Sequence, residues 1–250
     1  MKKSLTLLLI LCTCSLFGQV SIKDSAITTP IIYATYSYQF PGGDLTELFG
    51  SNSSIGGGFF VKTKRNWIVG AEGNFLFGGT VRNQDSMLVR IATPEGFIID
   101  ANGMYADVVL YERGYSFYGY LGKLIPVLSP NPNSGITILA GAGYLQDKIR
   151  INNPNNTAPQ LLDDYKKGYD KLNGGFALKG SIGYTYLSNS RLLNFSVGFE
   201  FIQAWTKRKR DYNFDLKGPD PDSYSSQFYG IKACWFIPLY KRTPKEFYYY

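Results

Sequence analysis

No histidine occurs anywhere in the 250 residues. That absence excludes Ser-His-Asp and Cys-His nucleophilic centres, histidine metal ligation and an imidazole switch near neutral pH. Cysteine is scarce too, with Cys12, Cys14 and Cys234 the three present. Charged residues are only 18% of the chain and aromatic residues 16%, a balance that disordered chains do not show. After residue 30 no apolar run reaches the length of a membrane helix. What is abundant is Tyr (20), Phe (17) and Gly (27), a composition of strands and turns rather than of helical bundles. Basic residues exceed acidic ones, 26 to 19.

The first residues read as an export signal. Lys2 and Lys3 form a basic start, Leu5 to Leu11 an apolar stretch broken only by Thr6, and Gly18-Gln19 a small-residue exit. Residues 1–19 are therefore expected to be a signal peptide, too short to anchor the chain across a bilayer. A lipidated cysteine at 12 or 14 is the alternative, although Leu11 and Thr13 are poor residues to precede one. With that segment removed, Cys234 stands alone and no internal disulfide can form.

Alternation dominates the rest. Phe195, Val197, Phe199 and Phe201 interleave with Asn194, Ser196, Gly198 and Glu200. Tyr229, Ile231, Ala233, Trp235 and Ile237 interleave with Gly230, Lys232 and Cys234. Period two over such lengths predicts strands with one apolar and one polar face. Eight segments qualify, at about 31–40, 54–63, 67–79, 114–125, 135–150, 174–187, 191–206 and 224–240. Long connections (41–53, 80–113, 151–173, 207–223) alternate with short ones, the pattern of an up-and-down meander between two compartments. The polar face carries Glu72, Glu200, Lys62, Lys123, Lys179 and Lys232, whereas the apolar face is heavily aromatic. A small soluble barrel would be overfilled by those aromatics and thinly coated by those charges. Turning the aromatics toward lipid and pairing the charges inside resolves both difficulties. A periplasmic lipocalin-like barrel or sandwich is the competing reading.

The Gly-Gln exit and the eight aromatic strands resemble the OmpA/OmpX-type outer-membrane barrels. More closely, they are similar to the small outer-membrane β-barrel proteins of Bacteroidetes, several of which are accessory parts of type IX secretion, gliding or barrel-assembly machines. The resemblance spans the chain from about residue 30 onward and implies an all-β, eight-stranded antiparallel up-and-down transmembrane barrel in the cell outer membrane. The expected organisation is a signal peptide (1–19), a barrel with long extracellular loops (20–240) and a periplasmic tail (241–250).

An eight-stranded barrel has room inside for little beyond its own side chains. Glu72 and Glu200 are thus expected to form lumen ion pairs with Lys62, Lys123, Lys179 and Lys232, with a gated proton or ion path as the alternative. Outer-membrane enzymes of this architecture generally rely on histidine, so no catalytic residue, cofactor or metal is expected. Asp163, Asp164 and Asp170 sit in one long loop but lack the spacing of a calcium loop. Lys207-Arg208-Lys209-Arg210 is the one basic run. It suits lipopolysaccharide phosphates or simply marks the membrane boundary, and an export signal makes nucleic acid remote. In the loop 80–113, the apolar runs at Met87–Ile91, Phe97–Ile99 and Val108–Tyr111 predict a hairpin standing above the barrel, with Phe97 and Ile98 as partner contacts. Folding of that loop over the barrel mouth is the alternative. Phe247, Tyr248, Tyr249 and Tyr250 end the tail, either as a docking cluster or as a signal read during barrel assembly. The functional expectation is a non-enzymatic accessory or scaffold subunit of a larger envelope complex for secretion, gliding or barrel assembly. An independent surface-binding or adhesion barrel is the first alternative, with a small-solute pore or a loop-sited lipid-modifying enzyme behind it.

Overall fold

Every strand with period-two side chains needs a hydrogen-bonding neighbour on both edges, and in the computed structural model each one has them. The structure describes residues 25–189 and 193–239. The expected signal peptide and the aromatic tail lie outside the described residues. Eight strands follow in chain order: β1 (Thr29–Gly43), β2 (Asn52–Lys62), β3 (Trp67–Gly78), β4 (Val109–Ile125), β5 (Gly135–Asn152), β6 (Asn173–Leu187), β7 (Asn194–Arg208) and β8 (Ser223–Pro238). Each pairs antiparallel with the next, and β8 returns to β1 from Ile31↔Pro238 to Gly43↔Ser226. The result is a closed eight-stranded up-and-down β-barrel.

Side chains sort by parity. On β7 the odd positions face out, with Phe199 66% exposed, while Glu200 and Ile202 beside it are buried. Trp235 and Ile237 on β8 are likewise exposed, whereas Phe228 and Phe236 are buried. The barrel is thus inverted relative to a soluble one on its outer face, which carries large apolar side chains, while the lumen mixes buried polar and charged residues with apolar ones.

Short turns close one end. The tightest joins β2 to β3 through Thr63 to Asn66, where Thr63 N–H donates to the Trp67 carbonyl at 2.8 Å. Asn66 sits there at φ 60°, a left-handed conformation that asparagine tolerates better than most side chains. The long connections gather at the other end and carry two short α-helices, α1 (Leu45–Leu48) and α2 (Gln84–Met87), and 3-10 turns at Pro154–Asn156, Pro159–Leu161 and Asp163–Gly168.

The loop between β3 and β4 does not stand up as a hairpin. Among the described residues it holds the short helix α2 and isolated bridges, Phe49↔Val81, Ala92↔Ile98 and Ile99↔Tyr105, and it folds over the barrel mouth. Val81, Met87, Leu88 and Ile98 are buried there against Leu76, Leu110, Leu145 and Ile149 from the strands. The apolar runs drive this arrangement: a free-standing hairpin would leave them in water, whereas folding inward covers the open end of the lumen. The neighbouring loops join the cover, Arg82 N–H donating to the Leu48 carbonyl and Ala101 N–H to the Thr157 carbonyl.

Candidate functional site

The lumen is built in layers. Nearest the short turns, Ile31, Tyr33, Phe60, Ile68, Leu124, Leu187 and Phe236 form an apolar floor. Nearest the long loops lies the larger apolar cluster under the crown. Between them sits a charged layer, and its residues come from four strands. Glu72 Oε1 meets Lys179 Nζ at 2.6 Å, Glu72 Oε2 pairs with Lys232, and Lys179 also meets Glu200 Oε2 at 2.8 Å.

Neutral donors complete this layer. Tyr33 Oη donates to Glu72 Oε2 at 2.8 Å, Asn74 Nδ2 to Glu72 Oε1 at 2.9 Å, and Gln39 Nε2 to Glu200 Oε1 at 2.7 Å. Lys179 Nζ lies over the Tyr118 ring, 5.1 Å from its centroid. The register shows how such long side chains fit. Glu72 stands opposite Gly58, Lys179 opposite Gly141, Glu200 opposite Gly230 and Lys232 opposite Gly198. Each charged residue therefore has a side-chain-free position opposite it, and at Gly230 the Glu200 stem passes close, its Cγ 3.4 Å from where a Cβ would stand. At Gly58 the space is tight, since an added Cβ would meet the Tyr33 hydroxyl at 2.6 Å.

Of the six residues expected in this layer, four meet: Glu72, Glu200, Lys179 and Lys232. Lys62 points inward but lies at the floor, where its ammonium donates to Asn133 Oδ1 at 2.8 Å and to the Ile27 carbonyl at 3.2 Å. Lys123 is not a lumen residue. It shares the outward phase of Tyr115, Phe117 and Leu121 on β4 and lies over the Trp67 ring at 5.5 Å. A small cavity of about 60 Å³ remains between floor and charged layer, lined in part by Tyr33, Glu72, Tyr120, Thr137 and Lys232.

The basic run divides by the same parity. Lys207 and Lys209 are exposed, while Arg208 turns inward to Asp220, with Nε–Oδ2 at 3.1 Å, and Arg210 is spent on Asp170. Burial pushes the Asp220 carboxyl up, but hydrogen bonds from Tyr224, Arg208 and the Asp222 N–H prevail and hold it below the ordinary carboxylate range. Strand parity also brings in basic residues that do not appear as a run in the sequence. Arg113 on β4 and Lys148 and Arg150 on β5 face outward near the long-loop end, with Arg113 paired to Lys148 in register. The loop acids are locally spent, Asp164 on Lys167 and Asp170 on Arg210.

Ile98 is buried at 7% exposure, so it is a packing residue of the crown and not a surface contact. Phe97 does reach the surface, half exposed and stacked on Tyr105 with ring centroids 4.4 Å apart. Met104 beside them is also exposed.

A closed eight-stranded antiparallel barrel with an aromatic outer face and an ion-paired interior is the architecture of outer-membrane barrels. Solved structures with a similar fold include Ail, the attachment invasion locus protein of Yersinia pestis, at 10% identity, covering 84% of this chain and 99% of that one with a TM-score of 0.43. The same protein in complex with the heparin analogue sucrose octasulfate matches at 9% identity and a TM-score of 0.38, with the same coverage. Neisserial surface protein A matches at 11% identity over 82% of this chain and 96% of its own, with a TM-score of 0.36. These values describe a likeness of barrel architecture and nothing finer. No protein-family model and no curated protein matches the sequence.

Proposed function

We propose that this chain is a non-enzymatic barrel of the cell outer membrane that acts as an accessory or scaffold subunit of an envelope complex, contacting its partner through the loop crown. The observation that carries this reading is the stacked Phe97–Tyr105 pair on the crown, exposed beside Met104. Val81, Met87, Leu88 and Ile98 of the same loop are buried over the lumen, whereas Phe97, Tyr105 and Met104, together with Val89, leave apolar surface in water. A layered, charge-paired lumen argues against a solute pore, and the chain without histidine offers no general base of the usual kind.

In this reading the aromatic outer face lies in lipid, and Arg113, Lys148, Arg150, Lys207 and Lys209 form a collar for lipopolysaccharide phosphates above it. The tail residues Phe247 to Tyr250 are a second candidate contact on the periplasmic side.

The test is co-purification after mild detergent extraction, comparing the full chain with a Phe97→Ser/Tyr105→Ser variant. Correct folding of both is confirmed by heat-modifiable gel migration. A stoichiometric protein partner retained by the wild type and reduced about tenfold or more by the variant supports the proposal, since paired aromatic anchors are worth about 2 kcal/mol each at such surfaces. A clean monomer from both chains overturns the subunit reading and leaves an independent surface-binding barrel.

A further inference from the structure

The two ends of the lumen differ in their charge balance. In the middle layer two carboxylates face two ammonium groups. Toward the crown, Glu112 on β4 and Asp147 on β5 are both fully buried, and among the described residues neither forms an ion pair with a lysine or arginine. The β4–β5 register sets Glu112 opposite Ile149 and Gly114 opposite Asp147. Both side chains therefore point inward from adjoining strands as diagonal neighbours, about 7 Å apart at their roots.

The nearest cations are committed elsewhere. Arg113 donates to the carbonyls of Gly78 and Glu112, and Arg208 holds Asp220, the Lys171 carbonyl and Asn173 Oδ1. Amides flank the acids: Asn52 Nδ2 donates to Glu112 Oε1 at 2.8 Å, and Asn173 Nδ2 to Asp147 Oδ2 at 3.4 Å. Gly78 lies between Asn52 and Glu112, and a Cβ there would stand 2.8 Å from Glu112 Oε2.

Three buried oxygens are then left without a hydrogen-bond partner among the described residues: Glu112 Oε2, Asp147 Oδ1 and Asn52 Oδ1. Two side-by-side carboxylates in an apolar setting of Leu76, Leu110, Leu145 and Ile149 are too costly to leave uncompensated. Among the described residues no third acid or cysteine joins them, so any ligand is held by two carboxylates and an amide oxygen, with water completing its shell.

We propose that Glu112, Asp147 and Asn52 form an internal site for one hard divalent cation, Ca²⁺ or Mg²⁺. The donor set is all oxygen, its two carboxylates match the charge, and the number of protein ligands suits a cation that keeps part of its water. The crown cluster lies over the site, so the cation enters as the chain folds and exchanges slowly afterwards. Its effect is to bind β2, β4 and β5 together beneath the crown. The proposal is independent of the partner reading, because it concerns the interior and requires no second protein.

The experiment folds the full chain into detergent micelles with CaCl₂, with MgCl₂ or with chelator, and compares it with Glu112→Gln/Asp147→Asn. Bound metal is counted after exhaustive dialysis, and the thermal midpoint is recorded. The wild type should retain about one cation per chain, and its midpoint should exceed that of chelator-folded protein by about 5 °C, as expected for ligand stabilisation of the folded state alone. Which salt achieves this identifies the ion. The double variant should retain none and should melt at one temperature in all three conditions. If the double variant fails to fold, Glu112→Gln alone is expected to fold in chelator and to lose cation dependence. A wild type that retains no metal and melts identically in every condition overturns the proposal, leaving a proton-sharing carboxyl pair. Equal metal content in wild type and variant overturns it as well, since the cation would then lie elsewhere.

Discussion

Glu72 accepts from both Lys179 and Lys232, and it is the one carboxylate that Lys232 pairs with among the described residues. Glu72→Gln therefore leaves Lys232 charged and unpaired in the interior, whereas Lys179 keeps Glu200. Removing one partner of a buried pair costs about 3–5 kcal/mol, so the variant should unfold at markedly lower denaturant or temperature while still inserting. Glu72→Gln combined with Lys232→Met removes the stranded charge and should recover most of that loss. A single variant as stable as the wild type would show that the layer is solvated and that its ion pairs contribute little. The same residue scale shows how far the sequence could be read. Period two found Glu72, Glu200, Lys179 and Lys232 because each lies mid-strand on the polar phase of a long alternating segment. Lys123 was misassigned to the polar face, although counting phase from Tyr115 and Phe117, which share its parity and face out, places it outside. Asn52 and Glu112 were hidden by the strand ends: β2 and β4 begin at Asn52 and Val109, inside stretches that read as loop. Asp147 lay within a predicted strand, but only the register reveals its neighbour Glu112.

At the scale of the element, β7 shows both what alternation fixes and what it leaves open. Its outer row of Phe195, Val197, Phe199 and Phe201 pairs laterally with Trp235, Ala233, Ile231 and Tyr229 of β8. Phe201 and Tyr229 lie with ring centroids 5.0 Å apart. In lipid, Phe199→Arg should cost about 2–4 kcal/mol near the midplane, read as a lower unfolding midpoint of the barrel in bilayers. In a water-exposed barrel the same change would be nearly neutral, so an unchanged midpoint would reject the membrane placement of this face. Ile202 on the same strand is buried, and Ile202→Arg is the control, destabilising in either setting. The loop between β3 and β4 was less legible than any strand. Its apolar runs have turn signals between them, and a hairpin and a folded cover share that local pattern. What decides is the open end of the lumen, where Leu76, Leu110, Leu145 and Ile149 need covering, and no local window of sequence contains that demand.

For the whole molecule, closure is set three times over, by the apolar floor, the ionic layer and the crown. Each layer rests on a different interaction, so removing one separates stability from permeability. Replacing residues 82–107 with a short Gly-Ser linker takes away Met87, Leu88 and Ile98, which are buried over the lumen. At about 1.5–3 kcal/mol for each buried side chain, the barrel should lose roughly 5 kcal/mol, with some recovered as the remaining loops settle. Conductance in planar bilayers should nevertheless stay at background, because Lys179 still bridges Glu72 and Glu200 and the floor is untouched. Steady ion currents from the linker variant would place the seal in the crown and make this a gated pore with a removable lid. Silent bilayers from the linker variant, and currents only when Glu72→Gln and Lys179→Met are added to it, would place the seal in the ionic layer. Silence from both variants is expected, because the apolar floor of Ile31, Tyr33, Phe60, Leu124 and Phe236 still fills the lumen at its short-turn end, so neither the crown nor the ionic layer is the sole seal.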